Sequence, residues 1–155
     1  MNKKLTFLLF SFPQLLKKLD PSTKGLWGKM NVQQMIEHMS DSVREANGKI
    51  PRTIMTPEAN LSKMKEFLMS EKEFRPNTKN VMMGEEPLVV RNSSIKDAID
   101  ELEKELSDFE KYFTKNSESI ITNPFFGDLN FDEWIQLVHK HAIHHLKQFG
   151  VVLPS

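Results

Sequence analysis

Apolar residues recur along this chain at intervals of three and four, and those intervals divide it into helices. Between Leu5 and Leu19 they fall at Leu5, Leu8, Leu9, Phe12, Leu15, Leu16 and Leu19. Pro13 interrupts that run and predicts either a kink or a break. Asp20-Pro21-Ser22 ends the segment, and Gly25-Leu-Trp-Gly28 reads as a loop. A second helix is predicted from Asn31 to about Ala46, with Val32, Ile36, Met39 and Val43 as its stripe. Asn31 and Gln34 have the spacing of a capping box, and Asn47-Gly48 is a stop.

From Lys49 to Arg91 the periodicity weakens. Pro51, Pro57, Pro76 and Pro87 punctuate it. A short amphipathic helix is expected at roughly Ala59 to Met69. The remainder, including Arg75-Pro-Asn-Thr and Met82-Met-Gly-Glu-Glu-Pro, reads as ordered loop placed to cover one end of a bundle. Ser94 to about Lys115 is a third strong helix, capped by Ser93 or Ser94. Its apolar face is Ile95, Ala98, Ile99, Leu102, Leu106, Phe109 and Phe113. Glu101, Glu103, Lys104 and Glu105 are expected to form a solvated face. Asn123-Pro-Phe-Phe-Gly127 reads as a turn with aromatic anchors. Asn130 to Gly150 is the fourth helix, opened by a second capping box at Asn130 and Glu133. Four long amphipathic segments with little strand signal predict an all-α four-helix bundle in one domain, residues 1–155. The long connection between the second and third helices favours a crossover over simple up-down-up-down order.

Composition narrows the function classes. Acidic and basic residues number 21 each, so neither nucleic acid nor an anionic membrane is the expected partner. The chain has no cysteine, which removes disulfides, thiol nucleophiles and iron–sulfur ligation and fits a reducing cytosol. Lys3 and Lys4 followed by the apolar run Leu5 to Phe12 imitate a secretory leader. No Ala-x-Ala-like site follows, and the run is too short to span a bilayer. It reads as the first turns of a core helix.

Four of the five histidines, His139, His141, His144 and His145, fall on the fourth helix. With about 100° per residue, Phe131, Ile135, Val138, Ala142 and Phe149 mark the apolar centre of that helix. His145 lies close to the centre and His141 on the same face toward one edge, which Trp134 and Gln148 share. His144 points well away from the stripe, and His139 lies off its other flank. Imidazoles at i and i+4 can bind one metal ion, as in the HExxH zinc proteins, but here no glutamate follows His141. His38 is the one histidine left, at the edge of the second helix's stripe beside Gln34, Met35 and Ser42. Three neutral imidazoles with an open position would suit zinc, nickel or another transition metal. The bland alternative is a pair of core histidines satisfied by hydrogen bonds. Gln148 reads as a polar neighbour, with support of a ligand as the alternative. Trp27 and Trp134 read as core residues, with a pocket wall as the alternative. Met30, Met35, Met39, Met82 and Met83 read as adaptable packing.

Two blocks of sequence carry a resemblance. Trp27-Gly-Lys-Met-Asn-Val-Gln-Gln-Met-Ile-Glu-His38 covers the second helix and its approach. Asn123-Pro-Phe-Phe-Gly127, Trp134 and Lys140-His-Ala-Ile-His-His-Leu-Lys-Gln-Phe-Gly150 cover the fourth. In these the chain resembles the DinB/YfiT-like superfamily of metal-binding four-helix bundles. The resemblance implies an up-down-down-up bundle, often dimeric. It implies a divalent metal on His38, His141 and His145, with His144 as the alternative ligand if the fourth helix is rotated. His139 has no counterpart.

Relatives of this kind include thiol-dependent S-transferases. The resemblance therefore implies a metal-dependent, cytoplasmic transferase that joins a low-molecular-weight cofactor thiol to a small electrophile. A metal-dependent hydrolase using metal-bound water is the second expectation. It needs an acid/base, and Glu37, next to His38, points elsewhere on its helix. A non-enzymatic stress-related binding protein with a structural or vestigial metal site is the third.

Overall fold

The structure is a computed structural model that describes residues 2–76 and 86–153. The expected stretch Met82-Met-Gly-Glu lies outside the described residues. The N-terminal helix, α1, is built from three continuous pieces: Lys3–Thr6, a π-helical turn at Phe7–Ser11, and Phe12–Lys18. Pro13 neither breaks nor ends it. Proline has no N–H to return to residue i−4 and its ring crowds that carbonyl. The π turn just before it widens the helix, with the Phe12 N–H bonded five residues back to the Phe7 carbonyl. Leu5, Leu8, Phe12 and Leu16 remain on one buried face.

The other helices are α2 (Val32–Ala46), α3 (Glu58–Met69), α4 (Ile95–Lys115) and α5 (Phe131–Gln148). Both capping boxes are formed. The Gln34 N–H donates to Asn31 Oδ1 at 2.8 Å and the Glu133 N–H to Asn130 Oδ1 at 2.9 Å, with the reciprocal bonds at 2.9 and 3.0 Å. Ser94 caps α4 by accepting from the Asp97 N–H. The chain is thus mostly helical, as its periodicity predicts, with one addition. Ile121–Asn123 (β1) and Gly127–Leu129 (β2) pair antiparallel around Asn123-Pro-Phe-Phe-Gly127. Asn123 Oδ1 accepts from the Phe125 and Phe126 N–H groups, and Gly127 takes φ +84°, which an L side chain rarely adopts. Trp134 is buried and ties the hairpin to α5 by donating from Nε1 to the Ile121 carbonyl at 3.0 Å.

Helices α1 and α2 each pack against both α4 and α5, and α3 lies on α5. The apolar stripes of all five meet in one core, with Met35, Met39, Phe109, Phe113, Leu102 and Leu106 fully buried within it. One expectation needs correcting. The charged run on α4 is not simply a solvated face. Glu105 is only 4 % exposed, held by Arg44 at 3.2 Å, Lys49 at 2.7 Å and the Asn47 amide at 3.2 Å. Glu101 pairs with Arg44 and Arg91. Both acids flank the stripe, and Arg44 of α2, with Lys49 and Arg91 from the connection, comes against them. Glu103 and Lys104 do face solvent.

The connection from α2 to α4 is anchored by a second buried acid. Glu37 accepts from the backbone N–H groups of Arg91 (2.9 Å) and Asn92 (3.0 Å) and from the Asn92 amide (3.0 Å). These donors outweigh the cost of burial and hold its carboxyl below the usual range. Gln33 and Gln34 donate to the carbonyls of Asn92 and Leu88. The returning loop is thereby laid along α2. Among the described residues, no helix is long and apolar enough to cross a membrane.

Candidate metal centre

Helix α2 presents His38 and helix α5 presents His141 and His145 to the same point. The Nε2 atom of His141 lies 3.0 Å from Nε2 of His38 and 2.8 Å from Nε2 of His145. One nitrogen from each ring falls within 4.8 Å of the others. Ring centroids are 4.6–5.0 Å apart. Neighbouring ligands on an ion that holds each nitrogen at about 2.1 Å are themselves about 3.0 Å apart at octahedral angles and about 3.4 Å at tetrahedral ones, so the spacing is close to that of a shared ion. His145 is buried, while His38 and His141 keep partial exposure.

Electrostatics favour the neutral, ligating form. Burial pushes His38 down to about 4 and His145 to about 3, and it takes His141 well below the ordinary value. The imidazoles around each ring add to the depression. Each neutral imidazole has one N–H and one lone pair. His145 spends its N–H on Gln148, from Nδ1 to Oε1 at 2.7 Å, so its Nε2 brings a lone pair to the cluster. A proton on His141 Nε2 can serve His145 or His38 but not both. If His38 donates instead, two lone pairs face each other at 2.8 Å. A cation satisfies all three nitrogens at once, and the donor set therefore fits a divalent transition metal. No carboxylate or thiol joins the group among the described residues.

The remaining histidines lie outside this group. His144 is half-buried, its ring edge-on to His145 at 5.1 Å, 5.4 Å from Trp27 and 6.0 Å from Phe74. His139 packs edge-on against Phe7 at 5.3 Å on the α1 side. Burial lowers both, His139 to about 4. Both are held in packing rather than left in solvent.

Three residues carry more than their sequence context suggests. Gln148 is a direct partner of His145, where the sequence reads a polar neighbour. The clue lay in its i+3 position after His145. Trp27 reads as core but is only partly buried and borders His144. Phe74 comes from the weakly periodic segment and sets its ring edge-on to both His141 (6.4 Å) and His144 (6.0 Å). No periodicity marks it, because it follows the end of α3. Glu37, as expected, faces away from the cluster.

A helical protein with a three-histidine cluster between two helices is the class that fold and site define. The family model of the DinB superfamily matches residues 14–149, well over half of the 155-residue chain, and the chain belongs to that superfamily. No curated protein and no solved structure matches it.

Proposed function

We propose that this protein is a metal-dependent enzyme in which His38, His141 and His145 hold a divalent transition metal, zinc or nickel, and that it transfers a low-molecular-weight thiol onto a small electrophile. The observation that carries this reading is the convergence of three neutral imidazole nitrogens with no carboxylate among them. When bound, the metal supplies Lewis acidity, lowering the pKa of a thiol or water beside it. The chain's own residues bind and orient. The three imidazoles hold the ion, Gln148 fixes His145, Phe74 sets its ring edge-on to His141, and His144, flanked by Trp27, stands beside His145.

Among the described residues no carboxylate joins the three histidines, which favours thiol transfer over carboxylate-assisted hydrolysis. A hydrolase needs a positioned acid/base, and Glu37 is committed to Arg91 and Asn92. The sulfur must arrive with a co-substrate, since the chain has no cysteine. A purely structural metal would call for a closed site of four protein ligands, whereas three ligating side chains converge among the described residues. We read the finer architecture in the same way: residues 1–155 as one domain, with α1, α2, α4 and α5 in up-down-down-up order, pairing as a homodimer in the cytoplasm. The packing of α1 and α2 each against both α4 and α5 supports the four-helix core of that reading.

The test is elemental analysis of purified protein, followed by cobalt substitution and titration with small thiols. One divalent ion per chain is expected, and thiol should change the cobalt absorption. An unchanged spectrum at saturating cobalt and excess thiol would remove the transferase reading and leave the hydrolytic or structural one.

A further inference from the structure

Gln148 occupies the last turn of α5, three residues beyond His145, and is 3 % exposed. Its two amide atoms face different partners. The carbonyl of Trp27, 121 residues away in the chain, can only accept, so the Gln148 NH2 donates to it at 2.9 Å. That leaves Oε1 toward His145 Nδ1 at 2.7 Å. Oε1 has no proton to give, so His145 must donate from Nδ1. Its lone pair then stands on Nε2, the atom that faces His141.

The loop that supplies the Trp27 carbonyl is fitted to this helix end. The Leu26 N–H donates to the Gln148 carbonyl at 2.7 Å. Gly28 has φ +78°, and a Cβ there would lie 2.7 Å from Gln148 Nε2. A Cβ at Gly25 would stand 2.7 Å from the Trp27 carbonyl oxygen, the acceptor of that amide. The glycines of Gly25-Leu-Trp-Gly28 thus let backbone approach the amide closely enough to orient it.

We propose that Gln148 is a positioning residue that selects the tautomer of His145, and that the Gly25–Gly28 loop, through the Trp27 carbonyl, fixes Gln148 in the orientation that does so. The inference rests on reading the three histidines as a metal centre. Partners of this kind on a ligating imidazole set ring orientation and basicity, and their loss typically weakens metal binding about 10–100-fold.

Nitrogen-15 NMR of the histidine rings in metal-free protein at neutral pH reads the tautomer directly. His145 should carry its proton on Nδ1. A proton on Nε2 in the unsubstituted protein overturns the proposal. Gln148→Met preserves length and apolar fit but loses the amide. It should move His145 toward the Nε2–H tautomer and weaken zinc binding about 10–100-fold in competition with a chromophoric chelator. Gln148→Glu still accepts from Nδ1 although it cannot donate to Trp27. It should keep the tautomer and recover most of the affinity lost in the methionine variant. An unchanged tautomer in Gln148→Met with affinity within about twofold would assign Gln148 a purely structural role. A glutamate variant no better than methionine would do the same. If the methionine variant does not fold, the unsubstituted protein and Gln148→Glu still decide the matter. If the unsubstituted protein binds no zinc, the metal-centre reading fails while the tautomer measurement still judges Gln148.

Discussion

His141 is the hinge of the cluster, because its Nε2 is the atom that approaches both other imidazoles. His141→Ala and His145→Ala are each expected to reduce bound metal from about one ion per chain to about a tenth of that or less, since two imidazoles replace three. His144→Ala should leave the metal content near that of the unsubstituted protein, because His144 packs against His145, Trp27 and Phe74 but is not one of the three residues whose nitrogens converge. Elemental analysis of the purified variants decides this. Full occupancy in a His141/His145 double variant would refute the assignment. Strong loss in His144→Ala would move the ligand set by one residue. The division of these histidines was legible in the sequence because side-chain direction on a regular helix follows from residue number alone. The orientation of Gln148 was not, since it depends on a carbonyl 121 residues distant.

At the scale of elements, α2 and α4 are joined by charge as well as by apolar packing. Glu105 is buried among Arg44, Lys49 and Asn47. Arg44 keeps Asp41 and Glu101 and Lys49 keeps Asp108 when Glu105 is removed, but the buried Asn47 amide loses its acceptor, so Glu105→Ala should cost about 1–3 kcal/mol. Glu103→Ala, on the solvated side of the same helix, should stay within about 0.5 kcal/mol. Urea denaturation of the two variants makes the comparison. Equal, small effects would show that the network is screened as an ordinary surface pair is. Sequence periodicity located both helices but placed Glu105 on the wrong face, because a flanking position turns inward only when a cation comes to meet it. The strands β1 and β2 escaped notice because three residues are too few to display alternation. The Pro13 segment was ambiguous for a related reason. Whether a proline breaks a helix or is absorbed by a π turn depends on how firmly the flanking turns are packed, here through Leu8, Phe12 and Leu16.

Across the whole molecule, the cluster joins α2 to α5, so a metal that binds there cross-links two helices contributed by distant parts of the chain. A ligand that binds only the folded state stabilises it by mass action, by about 2.7 kcal/mol at free metal 100 times Kd. For a chain of this size that corresponds to a rise of about 5–10 °C in Tm. Scanning calorimetry of metal-free and zinc-loaded protein should show the rise, and a strong chelator should reverse it. Identical Tm values would mean that the histidines do not bind the ion in the folded state. The His141→Ala variant should show no metal-dependent rise.

The sequence by itself determined the helices, their caps and the phase that puts His141 and His145 on one face. These are local matters, governed by backbone geometry and by the spacing of apolar residues along one helix. Only the tertiary structure decided which side chains meet those faces. It brought His38 within 3.0 Å of His141, set Phe74 against His141 and let Trp27 orient Gln148. Each of these contacts spans many tens of residues and depends on how α2, α5 and the loops pack. No local pattern encodes such a contact, because its free energy exists only once the helices have docked.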